Sequence, residues 1–286
     1  MLYRLLLALA FVGGCSGSGG GMQADGQPVA DASTDTGSNP ILGTAGCGMA
    51  STVATNTYAM RSITVGGAPR DYFIRVPTGY DPMKPYPVIY QQHGCSSSPN
   101  RETNNVPLDG QVGANAIIVR GKAAGQCWDT AIAGPDIPYW DAMVADVEAK
   151  WCIDAAKRYA TGYSSGSFMT HRLGCIRADK LRGFATIAGG QAESNCLANI
   201  AALLIHDAND NTVNISASIA ARDSLLTRNG CDKVTPPTAT DHPPCVAYSG
   251  CAAGKPVVWC QTAGQDHSRQ DQLAAPIFWD FLSKLP

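Results

Sequence analysis

The chain has 286 residues, with 21 lysines and arginines against 23 aspartates and glutamates, a formal net charge of −2. It carries no basic patch, which argues against a nucleic-acid partner. Hydrophobic residues make up 45% of it. No internal repeat is visible, and the stretch from Cys47 to Pro286 suffices for one α/β domain with a sizeable core.

The first fourteen residues read as an export signal. Met1-Leu2-Tyr3-Arg4 is a positive start, and Leu5 to Val12 is an apolar run too short to span a membrane. Val12-Gly13-Gly14-Cys15 is similar to a bacterial lipobox, at which Cys15 is diacylated and the signal removed; cleavage of an ordinary secretory signal is the alternative. Lipid on Cys15 predicts a protein anchored to a membrane rather than spanning it. Residues 15–45 are rich in Gly, Ser, Asp, Thr and Ala. Such a segment buries too little apolar surface to order itself, and predicts a disordered linker with a reach on the order of 30 Å. The domain expected beyond it is 46–286. Without Cys15, ten of the eleven cysteines remain, an even number that predicts up to five disulfides in an exported chain. No pair has Cys-x-x-Cys spacing, so no metal site is expected.

Arg61 to Val65 and Asp71 to Val76 alternate like the arms of a hairpin around Gly66-Gly67. Short apolar strands follow at Tyr86 to Tyr90 and Ala116 to Val119. Ile137 to Lys150 has helical periodicity, with Met143, Val144 and Val147 on one side. Tyr159-Ala160-Thr161 leads into a stretch of helical character from Ser165 to Cys175. Phe184 to Ala188 and Ala202 to Ile205 read as buried strands, Ile215 to Thr227 as a helix, Pro256 to Cys260 as a strand and Pro276 to Leu282 as a closing helix. An antiparallel start followed by alternating strands and helices predicts a mostly parallel sheet with helices on both faces. That is the α/β-hydrolase pattern, in which ligands sit at the C-terminal ends of the strands.

Gly162-Tyr163-Ser164-Ser165-Gly166 lies between one such strand and the helix after it. A serine there must occupy a very tight turn, and glycines two residues to either side permit it. Only Ser164 has glycine at both flanks. A serine hydroxyl needs a base to take its proton, and in this fold the order is serine, acid, histidine. Of the five histidines, His93 and His206 lie at strand ends and His171 lies just past the turn. His242 and His267 come late enough, and His267 follows the strand ending at Cys260 where the base is expected. The acid should follow the strand Ala202 to Ile205. Asp207 and Asp210 both qualify, and position does not separate them. Backbone N–H groups of Ser165 and of the loop His93-Gly94-Cys95-Ser96, at Cys95, are the expected oxyanion donors.

These stretches resemble the secreted feruloyl esterases of carbohydrate esterase family 1 and their polyhydroxybutyrate depolymerase relatives. The resemblance is carried by Arg70 to Pro77, His93-Gly94-Cys95, Cys152-Ile153-Asp154, Ala160 to Gly166, Cys175 to Asp179, Phe184 to Gly190, Arg228 to Cys231, Pro244-Cys245, Gly250-Cys251 and Val258-Trp259-Cys260, and covers about residues 46 to 285. It implies that Asp210 is the triad acid, because the family's His-Gly-x-x-Asp-x-x-Val falls on His206 to Val213. Asp207 replaces the glycine of that motif, Asp266 puts a carboxylate beside the base, and Ser167 replaces a glycine after Gly166.

The resemblance implies a serine esterase with catalytic residues Ser164, His267 and Asp210, no cofactor, and feruloyl esters of plant cell-wall arabinoxylan as substrates. A short-chain polyester such as polyhydroxybutyrate, or acetylated xylan, is the alternative. A non-catalytic surface module on the same fold is a reading of another class, and the complete triad speaks against it. Connectivity does not follow from a cysteine count; Cys245 and Cys251 bracket a short loop and are the expected pair, with Cys231–Cys260, Cys95–Cys127, Cys175–Cys196 and Cys47–Cys152 completing the set.

Overall fold

The computed structural model describes residues 43–96 and 105–286. The export signal, Cys15 and the linker to residue 42 lie outside the described residues. Ten strands form one sheet in the order β1-β2-β4-β3-β5-β6-β7-β10-β9-β8. The strands are β1 (Tyr58–Val65), β2 (Ala68–Arg75), β3 (Tyr86–Gln92), β4 (Ile117–Gly121), β5 (Ile153–Tyr163), β6 (Gly183–Ile187), β7 (Ala201–Asp207), β8 (Thr238–Ala239), β9 (Cys245–Ala247) and β10 (Val257–Thr262). The centre, from β4 to β10, is parallel, and the hairpin β1-β2 and the ribbon β9-β8 add antiparallel edges.

The central strands have two buried faces. Val88, Tyr90, Phe184, Ala202, Leu204, Val257 and Trp259 face one layer, which holds α2 (Asp136–Lys150), α3 (Ser165–Ile176) and α4 (Ser216–Arg228). Ile89, Ala185, Ile187, Leu203, Ile205, Val258 and Cys260 face the other, which holds α1 (Asp109–Val112) and α5 (Asp271–Ser283). This two-residue alternation of apolar side chains is what a sheet covered on both faces requires.

Two expectations are corrected. The last helix begins at Asp271, five residues before Pro276. The chain reverses at Gln270, which has φ +46°, and the Gln270 carbonyl accepts the N–H groups of Leu273 and Ala274. Pro276 withholds a hydrogen bond only from the carbonyl of Gln272, an exposed residue. The disulfides are Cys47–Cys152, Cys95–Cys127 and Cys175–Cys196 as expected, but Cys231 pairs with Cys251 and Cys245 with Cys260. Cys245 lies directly opposite Cys260 across the antiparallel β9-β10 ladder. Cys231 ends the turn after α4, where Asp232 N–H donates to Ser249 and Ala252 N–H to Asn229, so the loop carrying Cys251 is hydrogen-bonded alongside it.

Candidate active site

Parallel register brings four loops to one end of the sheet. Gln92 of β3 is level with Gly162 of β5, and Thr262 of β10 is level with Asp207 of β7. The segments after β3, β5, β7 and β10 therefore emerge side by side, and they carry Cys95, Ser164, Asp210 and His267.

Ser164 joins β5 directly to α3 with φ +52° and ψ −120°. This region is costly for a residue with a side chain, about 1–3 kcal/mol, and such strain persists only where the surroundings over-determine it. The surroundings do so here. Ser164 N–H donates to Ile187, and the Ser164 carbonyl accepts Ser167 N–H. A Cβ on Gly162 would lie 2.1 Å from the Gly166 carbonyl oxygen, and one on Gly166 would lie 1.9 Å from the carbonyl oxygen of Gln92. The two glycines are thus needed for strand and helix to approach, with Ser164 held at the apex. Ser96 and Asp266, in the neighbouring loops, also have positive φ.

His267 bridges serine and aspartate. Its Nε2 lies 2.9 Å from Ser164 Oγ and its Nδ1 lies 2.8 Å from Asp210 Oδ2. Nδ1 faces an acceptor-only carboxylate and so carries the proton, which leaves Nε2 to accept from the serine hydroxyl. The His267 carbonyl accepts from Tyr163 Oη at 3.1 Å. The Asp210 side chain is fully buried, and its Oδ1 accepts the N–H groups of Thr212 and Val213. Burial pushes its carboxyl up, but the donors from Val213, His267 and Thr212 prevail and hold it below the usual carboxylate range.

Asp207, the other candidate acid, is hydrogen-bonded to other groups than the His267 ring. Its Oδ2 accepts from Thr262 Oγ1 and Gln265 N–H, and its Oδ1 accepts Asn209 N–H. The carboxylate of Asp266 reaches the backbone and side-chain N–H groups of Asn211. Of the remaining histidines, His171 is buried against Phe184, and burial, seconded by Arg228, brings it down to about 3. His242 contacts Asp280 at 3.0 Å.

Cys95 and Ser165 border a cleft of about 360 Å³ at Ser164, together with Trp128, Phe168, Gln191 and Val213. Ser165 is the first residue of α3, so its N–H is one of the helix's unpaired starting donors. The loop that carries Cys95 is fastened on several sides. Trp128 Nε1 donates to the His93 carbonyl, His93 Nε2 accepts Ala123 N–H, Ser96 N–H donates to Gln126, and Cys95 is bonded to Cys127. Trp128 N–H in turn donates to Ser165 Oγ at 2.9 Å. A larger cleft of about 840 Å³ lies on another side of the base loop, lined by Thr262, Gln265 and Gln270 but not by Ser164. Among the described residues no group of three or more His, Cys, Asp or Glu is placed to hold a metal ion, and no helix is long and apolar enough to cross a membrane.

Trp128 and His206 had no role in the sequence reading. Trp128 lies far from the serine in sequence, and only its position one residue after Cys127 pointed to it. His206 stands at a strand end as the first residue of the pattern that runs from His206 to Val213, and its spacing of four from Asp210 is the available signal.

No protein-family model matches the chain. Feruloyl esterase D of Neurospora crassa is 29% identical over 264 residues, covering 84% of this chain and 89% of that protein. A probable feruloyl esterase C of Aspergillus terreus is 33% identical over 170 residues, covering 57% of this chain and 63% of that protein. An acetyl xylan esterase structure from Aspergillus awamori superposes with a TM-score of 0.62 at 13% identity, covering 79% of this chain and 99% of that one. The fold is that of the α/β-hydrolases.

Proposed function

We propose that this chain, a feruloyl esterase-like carboxylic ester hydrolase of the α/β-hydrolase fold, releases feruloyl groups from plant cell-wall xylan. The observation that carries this reading is the unbroken relay from Ser164 through His267 to the buried Asp210. Support for the acyl group comes from the feruloyl esterase relative that spans 84% of the chain. Phe168 and Trp128 add aromatic surface at the cleft beside Ser164. At about 360 Å³ the cleft falls in the usual size range of small-molecule sites.

In this mechanism the ester carbonyl carbon is attacked by Ser164 Oγ while His267 Nε2 takes the hydroxyl proton. Asp210 keeps the proton on Nδ1 and stabilises the imidazolium that forms. The N–H groups of Ser165 and Cys95 receive the negative oxygen of the tetrahedral intermediate. His267 returns its proton to the leaving sugar oxygen, leaving a feruloyl-serine ester. Water, deprotonated by the same imidazole, then releases ferulate and restores Ser164.

Export is supported by the five disulfides, a feature of oxidising compartments. We further propose diacylation of Cys15, which would tether the domain to a membrane by residues 15–45. The test of function is a panel of methyl ferulate, acetylated xylan and polyhydroxybutyrate offered to purified protein. Preference for methyl ferulate is expected. Cleavage of acetylated xylan or polyester without action on methyl ferulate would overturn the acyl assignment.

A further inference from the structure

The structure assigns His206 as a positioning residue that holds the acid loop closed around Asp210; the assignment rests on the Ser164–His267–Asp210 reading above. His206 is the penultimate residue of β7, with its side chain fully buried, four residues before Asp210. Its Nε2 lies 2.9 Å from the Val213 carbonyl oxygen and 3.2 Å from Asp210 Oδ2, the same oxygen that meets His267. Both neighbours are acceptors, so Nε2 bears a proton and donates to Val213.

The opposite ring nitrogen, Nδ1, is 2.6 Å from Ser218 Oγ on α4. Ser218 Oγ is also 2.9 Å from the Gly189 carbonyl oxygen, which accepts from Ser167 Oγ at 2.6 Å. With the one ring proton on Nε2, Nδ1 is an acceptor at the shorter contact, so the Ser218 hydroxyl donates to it while the Gly189 carbonyl keeps Ser167 Oγ as its donor, and a neutral imidazole satisfies every partner. Burial lowers the basicity of His206 in the same direction. The charged or titratable groups facing it are Asp210, Asp207 and His267.

The consequence is mechanical. Val213 supplies the N–H that grips Asp210 Oδ1, and its carbonyl is gripped by His206. The imidazole thus links the end of β7 to the far end of the turn and presents an N–H beside Oδ2. With Oδ1 taken by Thr212 and Val213, the carboxylate is left one orientation, with Oδ2 toward His267. A group that acts this way touches neither substrate nor nucleophile. Its loss should slow the chemistry and leave substrate affinity alone.

Two amide variants separate the two ends of the ring. His206→Asn places an amide where Nδ1 stands, keeping a partner for Ser218 and withdrawing the group at Val213 and Asp210. His206→Gln places an amide nitrogen near the position of Nε2. With methyl ferulate, H206N is expected to lower kcat about 10- to 100-fold, the scale of a misplacement near 1 Å, with KM within about twofold. H206Q is expected to recover most of that loss. In a double-mutant cycle the H206N loss should vanish on a D210N background, because His206 acts through that carboxylate. Equal losses in both backgrounds, a KM effect alone, or an H206Q no better than H206N would overturn the assignment. A D210N enzyme with wild-type turnover would instead refute the triad reading, which the cycle detects separately.

Discussion

Asp266 accepts two hydrogen bonds from Asn211, one from its backbone N–H at 3.0 Å and one from its side-chain amide at 2.8 Å. The loop of the base is thereby tied to the loop of the acid. Two further ties run parallel to it, from Asn209 Oδ1 to Gly264 N–H and from Asp207 to Gln265 N–H and Thr262 Oγ1. The separation between His267 and Asp210 is set by these cross-links as well as by the contact itself. Both residues that depart from the resembled family pattern here, Asp207 and Asp266, make such ties.

The ties predict a ranking. Asp210→Asn removes the carboxylate that orients the imidazole and should lower kcat by about three to four orders of magnitude. Asp207→Asn weakens a tie to the base loop at Gln265 but leaves the His267–Asp210 contact in place, and should cost far less. Steady-state kinetics on both variants checks this, and the reverse ranking would make Asp207 the acid.

Asp207 also predicts a pH dependence of stability. Burial raises its carboxyl, but donors from Gln265, Asn209 and Thr262 outweigh burial and hold it below the ordinary value. A carboxyl depressed in the folded state adds stability above its unfolded pKa, about 3.9, and loses it as pH falls through the folded value. Urea unfolding should therefore show D207N weaker than wild type near neutrality, with the gap closing below about pH 4. A gap that widens in acid would contradict the assignment.

The elbow predicts a steric effect. Gly166→Ala drives a methyl group to within 1.9 Å of the Gln92 carbonyl oxygen, where backbone must move. The expected cost is about 1–3 kcal/mol or more, with loss of esterase activity. Gly110→Ala, where a Cβ meets nothing within 4 Å, is the control and should stay near wild type in thermal unfolding.

Peptide mapping without reductant should return Cys231–Cys251 and Cys245–Cys260. Removing the latter pair, which closes a loop of sequence separation 15, should cost about 3 kcal/mol. Free thiols at Cys245 and Cys260 would contradict the register of β9 on β10.

If Cys15 carries lipid, the intact mass of the mature protein includes two acyl chains, and Cys15→Ser releases the protein from membranes or blocks its processing. An unmodified terminus downstream of Cys15 would make the enzyme freely secreted.

Much of the fold was legible because its signals are local. Val88, Ile89 and Tyr90, or Leu203 and Leu204, form short continuous apolar runs, as strands buried on both faces must. The glycine spacing around Ser164 marked the elbow, since two backbone approaches there exclude any Cβ. The choice between Asp207 and Asp210 was not local. It depends on which carboxylate the folded loops bring to His267 Nδ1: Asp210 lies 2.8 Å from it, while Asp207 is taken up by Thr262, Gln265 and Asn209. The cysteine pairing failed for a related reason: Cys245 and Cys251 are close in sequence, but the antiparallel ladder sets Cys245 opposite Cys260. His206 was hidden because a buried strand-end histidine looks the same in sequence whether it fills space or holds a loop.

The most direct test of the central claim is the rate of methyl ferulate hydrolysis by wild type, Ser164→Ala and Ser165→Ala side by side. Ser164→Ala should lose about four orders of magnitude or more in kcat while keeping its thermal unfolding midpoint. Ser165→Ala, which loses only an acceptor for Trp128 N–H, should retain most of its turnover. A Ser164→Ala enzyme with near-wild-type turnover would contradict the account.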